Sequence, residues 1–337
     1  MIDIKDFKVN KVVLFTCIMQ IYMDMKRDLG RIKNDVVRTD SQNICDRFFE
    51  FLENNEKQKN YFLGICENFE DRYKEVEENE ELMELLTGVF ETEEFGRIYD
   101  GTIEYRDTML RQLSECRELL DEYLVGQLGI TGSKDISVNV LNPYFCTGIS
   151  DLHSEVFWGH YRGLEDPNYN IVYLVHECMH CEYPYQKDWN REQRNTCHAL
   201  IELATDNELR CRLEGKHDTY SEGHDLTIIQ RGKMLPLWCA FLGKTEEEVE
   251  QLKKCKDIDL DIDMYRLFSS KKEFQNMSFS EFIIYCVEHC QELDPHKKFL
   301  EELQVDVQPL HGDAVGQIEG ATETRENGID VEDREEQ

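Results

Sequence analysis

The sequence predicts an α+β protein in which a small sheet is set among helices. Three observations carry that class. Apolar residues recur at helical spacing over residues 1–128, for example Ile44, Phe48, Phe49, Phe51 and Leu52, and again Met109, Leu110, Leu113, Cys116, Leu119, Leu120 and Leu124. The period then changes to two, with Ile136, Val138 and Val140 alternating with Ser137 and Asn139. Helical patterning returns after Asp166-Pro167.

The elements follow in order. Val12–Met23 (VVLFTCIMQIYM) is a short apolar run broken by Gln20. It falls below the roughly 18 residues a membrane span needs. Asp3 and Asp6 precede it where a signal peptide carries basic residues, and no small-residue cleavage site follows. It is expected to be a buried helix of a soluble protein. Glu67–Glu94 is densely acidic with Phe69, Tyr73, Leu82, Leu85 and Leu86 threaded through it, the pattern of a solvated helix face. Gly129–Gly132 interrupts the helices, Ile136–Leu141 is a strand ended by Asn142-Pro143, and Val156–Tyr161 is a weaker strand candidate. Pro167 is expected at an early helix position and Pro184 stops that helix. A second helix runs from Asn190 to Leu213, with an Asn190/Gln193 capping box and Gly215 after its last turn. Further helical stretches are expected near 226–254 and 278–303. No internal repeat is visible. The resulting division is a helical N-terminal region (1–128), a metal-binding core (129–215), a helical C-terminal region (216–308) and an acidic disordered tail (309–337).

Composition narrows the function. The 337 residues carry 70 acidic against 38 basic side chains, a formal charge of -32. Such a surface repels phosphate backbones and anionic lipid, so neither nucleic acid nor membrane is expected as a partner. It would attract cationic peptides, and its plainest role is solubility. The 13 cysteines form no even framework. They are expected to be reduced thiols acting as small buried apolar groups in the cytoplasm.

The informative segment is IVYLVHECMH, which contains His176-Glu177-x-x-His180. Residues four apart share a helix face, so both imidazoles can reach one metal ion. Glu177 is turned by about 100° from His176, so its carboxylate reaches a metal-bound water without crowding the ligand direction. Chance supplies only about 0.04 such matches in a chain of this length and composition, and this one lies inside an apolar helix pattern. A catalytic zinc needs a third protein ligand. In the next helix, 22 residues after His180, Glu202 and Asp206 are again four apart. Glu202 can bind the metal while Asp206 holds a ligating histidine through its other nitrogen.

These residues resemble the gluzincin branch of zinc metallopeptidases, which share H-E-x-x-H on one helix and a glutamate, often within E-x-x-x-D, on the next. The resemblance covers residues 135–215 and implies a zincin-like core. It makes His176, His180 and Glu202 the ligands of one zinc per chain, Glu177 the general base and Asp206 their supporting carboxylate. It also implies that the 136–141 strand is the edge strand lining the substrate cleft. The opening FKVNKVVLFTCIMQ resembles that of a group of uncharacterised bacterial proteins with a later H-E-x-x-H. The implied activity is zinc-dependent hydrolysis of a peptide or protein substrate, with basic peptides favoured by the acidic excess. Zinc acidifies the attacking water, Glu177 moves its proton to the leaving amine, and a further donor steadies the oxyanion. Tyr220, His224 and Tyr183 are candidates for that donor.

Other readings use the same residues. Cys178 and Cys181 form a C-x-x-C, but on a helix both point away from His176. Cys286 and Cys290 flank His289 without a fourth ligand. Cys146 could replace Glu202 as ligand in a formyl-removing amide hydrolase. A non-catalytic binding protein on a peptidase-like scaffold is the third possibility. The oligomeric state is not legible.

Overall fold

The computed structural model describes residues 3–24, 29–53, 56–151, 154–216, 220, 223–224, 227–254, 260–271 and 274–291. All of them lie in one unit, Met1–Leu293. The expected tail at 309–337 lies outside the described residues; the helix expected near 278–303 ends earlier, at Glu288, with His289 as its cap.

Four strands form a mixed sheet in the order β1-β2-β4-β3. These are β1 (Asp3–Lys8), β2 (Asp135–Val140), β3 (Thr147–Ser150) and β4 (Glu155–Gly159). β1 and β4 both run parallel to β2, and β3 is antiparallel to β4. β2 and β4 correspond to the two strands expected from the sequence. β2 lies inside the sheet, so the expectation that it forms the cleft edge is corrected: the edge beside the H-E-x-x-H helix is β3. β1 and β3 were not anticipated. β1 reads DIKDFK, too charged to signal a strand alone, and its partner is more than a hundred residues away. β3 is only four half-buried residues long.

The helices before the core strands are α1 (Lys11–Asp24), α2 (Asp35–Leu52), α3 (Glu56–Cys66), α4 (Phe69–Glu77), α5 (Glu80–Phe90), α6 (Glu93–Glu115) and the short α7 (Arg117–Leu120). A π-helical turn, Asp121–Gln127, follows. α1 is apolar nearly all round and is buried accordingly. After β4 come α8 (Arg162–Glu165), α9 (Pro167–Glu182), α10 (Arg191–Glu202), a second π-helical stretch (Leu203–Leu209) and α11 (Arg210–Glu214). α12 (Ile228–Phe241), α13 (Glu246–Leu252), α14 (Ile262–Ser269) and α15 (Phe279–Glu288) complete the described chain. The expected 226–254 stretch is thus two helices. Gly243, at φ 67°, breaks it, and a Thr245/Glu248 capping box restarts it.

The sheet separates two apolar clusters. On one face Val156 and Trp158 join Ile136, Val138 and Val140 against α9, α10 and α12. On the other, Phe157 joins Leu141 and Phe145 against the helices of residues 12–98. Alternation along β4 therefore serves both layers. Phe69 and Tyr73 of α4 meet Phe157 edge-on, with ring centroids 5.4 and 6.1 Å away. Every described cysteine is free, and most are buried. Among the described residues no helix is long and apolar enough to cross a membrane.

Candidate metal centre

α9 starts where its sequence says it should. The Asp166 side chain accepts from the Asn168 N–H, and Pro167 occupies a first-turn position whose N–H would lack a partner anyway. That start presents His176 and His180 on one face, with their Nε2 atoms 3.1 Å apart. Two imidazoles on one tetrahedral zinc, at about 2.0–2.1 Å each, would stand roughly 3.4 Å apart.

α10 starts with the Asn190/Gln193 capping box and returns past α9. Its continuation, Leu203–Leu209, is π-helical and wholly buried, an arrangement often found at functional sites. The E-x-x-x-D pair spans the entry to this widened turn. Asp206 Oδ1 stands 2.9 Å from His176 Nδ1, and the Thr205 hydroxyl donates to the same oxygen at 2.9 Å. This contact fixes Nδ1 and turns His176 Nε2 inward.

Glu202 is fully buried but engaged elsewhere. Its Oε1 accepts from the His224 backbone N–H at 2.9 Å and lies 2.6 Å from His224 Nδ1. Its Oε2 accepts from the Thr227 hydroxyl and pairs with Arg231 Nε at 3.0 Å. Burial raises its pKa, but the His224 hydrogen bond, the His198 ring and Thr227 outweigh burial and keep it ionised. Gly223 makes room for this knot. At φ 129° it adopts backbone that side-chain-bearing residues avoid, and a Cβ there would stand 2.7 Å from the Arg231 guanidinium.

The position nearest the imidazole pair on α10 belongs to His198, one turn before Glu202. Its ring centroid is 4.7 Å from that of His180, 5.3 Å from His176 and 5.1 Å from His224. His198 Nε2 is buried and makes no hydrogen bond, with Glu202 Oε1 standing 3.5 Å off. His176, His198 and His224 each offer a ligand atom within 4.8 Å of the others, and together they can hold a metal ion. A buried ring nitrogen lacking a partner, facing other imidazoles backed by carboxylates, is the donor set expected of a transition-metal site.

Protonation suits that use at His180 and His198, whereas His176 would release its Nε2 proton on binding an ion. Burial lowers the pKa of His180 and His198, and the neighbouring histidines lower it further, so both rings are neutral at pH 7. Burial also depresses His176, but Asp206, by charge and hydrogen bond, more than reverses this and lifts it to about 9. Burial raises the pKa of Glu177, opposed by His176 and a Ser150 hydrogen bond. A Cβ on Gly148 would lie 3.7 Å from Glu177 Oε1. Glu177 therefore sits between α9 and the edge strand β3.

The remaining expected residues separate. Tyr220 is buried, donates to Glu208 and lies under Lys244, away from the imidazoles. Tyr183 packs edge-on against Phe279. His224, expected as a donor, stands in the ligand group. Cys146 is outside that group, and its thiol contacts the Tyr144 carbonyl. Cys178 and Cys181 lie in the apolar core. Two residues were missed. His198 carried a usable signal, four residues before Glu202 on a capped helix. Tyr185, whose ring is 5.7 Å from His180, carried none beyond following the motif. No family model, curated protein or solved structure matches the chain.

Proposed function

We propose that the chain is a zinc-dependent metallopeptidase. The observation that carries this is the convergence of His176, His198 and His224, with His180 Nε2 3.1 Å from His176 Nε2, beside the half-buried Glu177 carboxylate. His198 and His224 join His176 in the ligand group, in place of the His180 and Glu202 of the gluzincin pattern, which leaves one position of a tetrahedral ion open. Glu202 then acts through His224, and Asp206 through His176, each carboxylate holding the Nδ1 side of its ring. Neutral His180 and His198 suit a soft divalent ion better than magnesium or calcium, which prefer oxygen. Zinc, one per chain, would supply Lewis acidity and an acidified water.

The protein's own groups do the rest. Glu177 takes the proton of the attacking water and delivers it to the leaving amine, and burial holds its pKa above the usual carboxylate range for that purpose. Among the described residues β3 has no strand partner besides β4, and its outer edge runs past Glu177, so an extended peptide adding as a strand brings its backbone to that carboxylate. Tyr185, beside His180, is the nearest phenol to steady the developing oxyanion. The free state of the described cysteines suits a reducing compartment, and the charge of -32 disfavours nucleic acid.

Metal analysis combined with proteomic cleavage profiling tests this reading. Wild type should carry one zinc per chain and cut peptides. Glu177→Gln should keep the zinc and lose activity by at least about 10²-fold. Zinc with no cleavage, unchanged by Glu177→Gln, would favour a binding protein instead.

A further inference from the structure

In a chain of net charge -32, three cations gather at one end of β3, with Glu70 and Asp24 on the Arg31 side near Cys17. Cys146, immediately before β3, is approached from two separate segments of the chain. From the segment between α1 and α2, Arg31 Nη2 donates to the Cys146 carbonyl at 3.1 Å, and the Lys33 N–H donates to the Tyr144 carbonyl. From α8, just after β4, Arg162 stands with its guanidinium 5.9 Å from the Tyr169 ring, and its N–H donates to His160 Nδ1 at 3.2 Å. The charged groups acting most on Cys146 are Arg31, Lys33 and Arg162. Burial, with Arg162 and Arg31, lowers the His160 pKa to about 4. Among the described residues neither Arg31 nor Lys33 has a carboxylate within ion-pair distance. The bond to Cys146 uses one of the five donors of Arg31, and Lys33 is exposed.

The other end of the same strand is the reacting end, since Gly148 and Ser150 flank Glu177. At about 3.3 Å per residue, two to four residues separate the two ends. A peptide lying along the open edge therefore meets Glu177 and, two or three residues away, the cations.

We propose that Arg31, Lys33 and Arg162 form a subsite for a carboxylate of the bound peptide, two or three residues from the bond at Glu177. This rests on the peptidase reading above. It assigns acidic rather than basic peptides to the cleft, because the local field at the edge strand, and not the total charge, acts on a bound chain. The carboxylate is either an Asp or Glu side chain or the free C-terminus.

Binding without turnover tests it. The protein is the full chain carrying Glu177→Gln. The probes are three hexapeptide pools of random uncharged sequence: amidated with one Glu, amidated with Gln in its place, and the Gln pool with a free C-terminus. Retention is read by mass spectrometry. The Glu pool or the free-C-terminus pool should be retained about tenfold better than the amidated Gln pool, and which of them gains identifies the carboxylate. Adding Lys33→Gln and Arg162→Gln, both at exposed positions, should erase most of the difference, and Arg31→Gln as a separate variant should weaken it. Equal retention of all three pools, retention of none, or a preference untouched by these substitutions overturns the proposal. If wild type cleaves no peptide while the preference persists, the peptidase reading fails and the subsite stands. Cleavage without any acidic preference is the converse.

Discussion

The two layers on either side of the sheet are built from different materials. The layer on the Phe157 face is mostly aromatic and aliphatic, although it too buries Thr16, Asp40, Ser41, Asn139 and Glu155. Phe15, Phe48 and Phe62 meet with centroids 4.8 to 5.5 Å apart, and most fully buried side chains there are apolar. The layer on the Trp158 face buries Asn170, His176, Glu202, Thr205, Asp206, Asn207, Glu208, Arg210 and Arg231 among its apolar groups. Buried charge destabilises unless it is paired or ligates a metal. One layer therefore maximises packing. The other gives up packing to hold ionisable groups at fixed distances, the environment in which functional sites are concentrated.

Substitutions in the two layers should separate along that line. The largest stability effect is expected from Phe48→Ala, which leaves a cavity among Phe15, Phe49 and Phe62. It should cost about 3–5 kcal/mol in denaturant unfolding while zinc content of the folded fraction stays unchanged. A metal loss matching the stability loss would show that the layers are not independent. Next is Asp206→Asn, which breaks the hold on His176 Nδ1. Zinc affinity should fall about 10–100-fold by competition with a chelator. An unchanged affinity would remove Asp206 from the site.

The smallest effect lies at the seam. Glu155 of β4 accepts from Tyr73 and pairs with Lys8 of β1 and Lys74 of α4, each lysine at 3.0 Å. Burial raises its pKa, but the lysines more than offset this and hold it below the ordinary glutamate value. A folded pKa below the unfolded one means that the contribution is present at neutral pH and lost as pH falls through the folded value. Unfolding measured from pH 7 down to pH 3 should therefore show a shallower acid loss in Glu155→Gln than in wild type. Identical slopes would mean that the seam carries no such linkage.

Much of the layer that carries the candidate metal site is legible because its signals are local. Asp166-Pro167 and the Asn190/Gln193 box fix where α9 and α10 begin, and from those starts the positions of His176, His180 and Asp206 follow by helical geometry. β1 was hidden because its reason to be a strand is β2, a distant partner, and not its own DIKDFK pattern. Glu202 and His198 are hard to tell apart for a related reason. Both lie on the same face of α10, and helical spacing cannot choose between them. The choice is made by Arg231 and Thr227, which arrive from α12 and the residue before it and draw the Glu202 carboxylate away. The π-helical stretch after Glu202 has no reliable sequence signal, yet it gives Glu202 and Asp206 different histidines to hold.

The central claim is that His198, together with His176 and His224, holds the ion. Zinc content and affinity of folded His198→Ala, measured beside wild type, test it most directly. The account predicts one tightly held zinc per wild-type chain and loss of most of it in the variant. A His198→Ala protein that keeps a full zinc complement at wild-type affinity would contradict it.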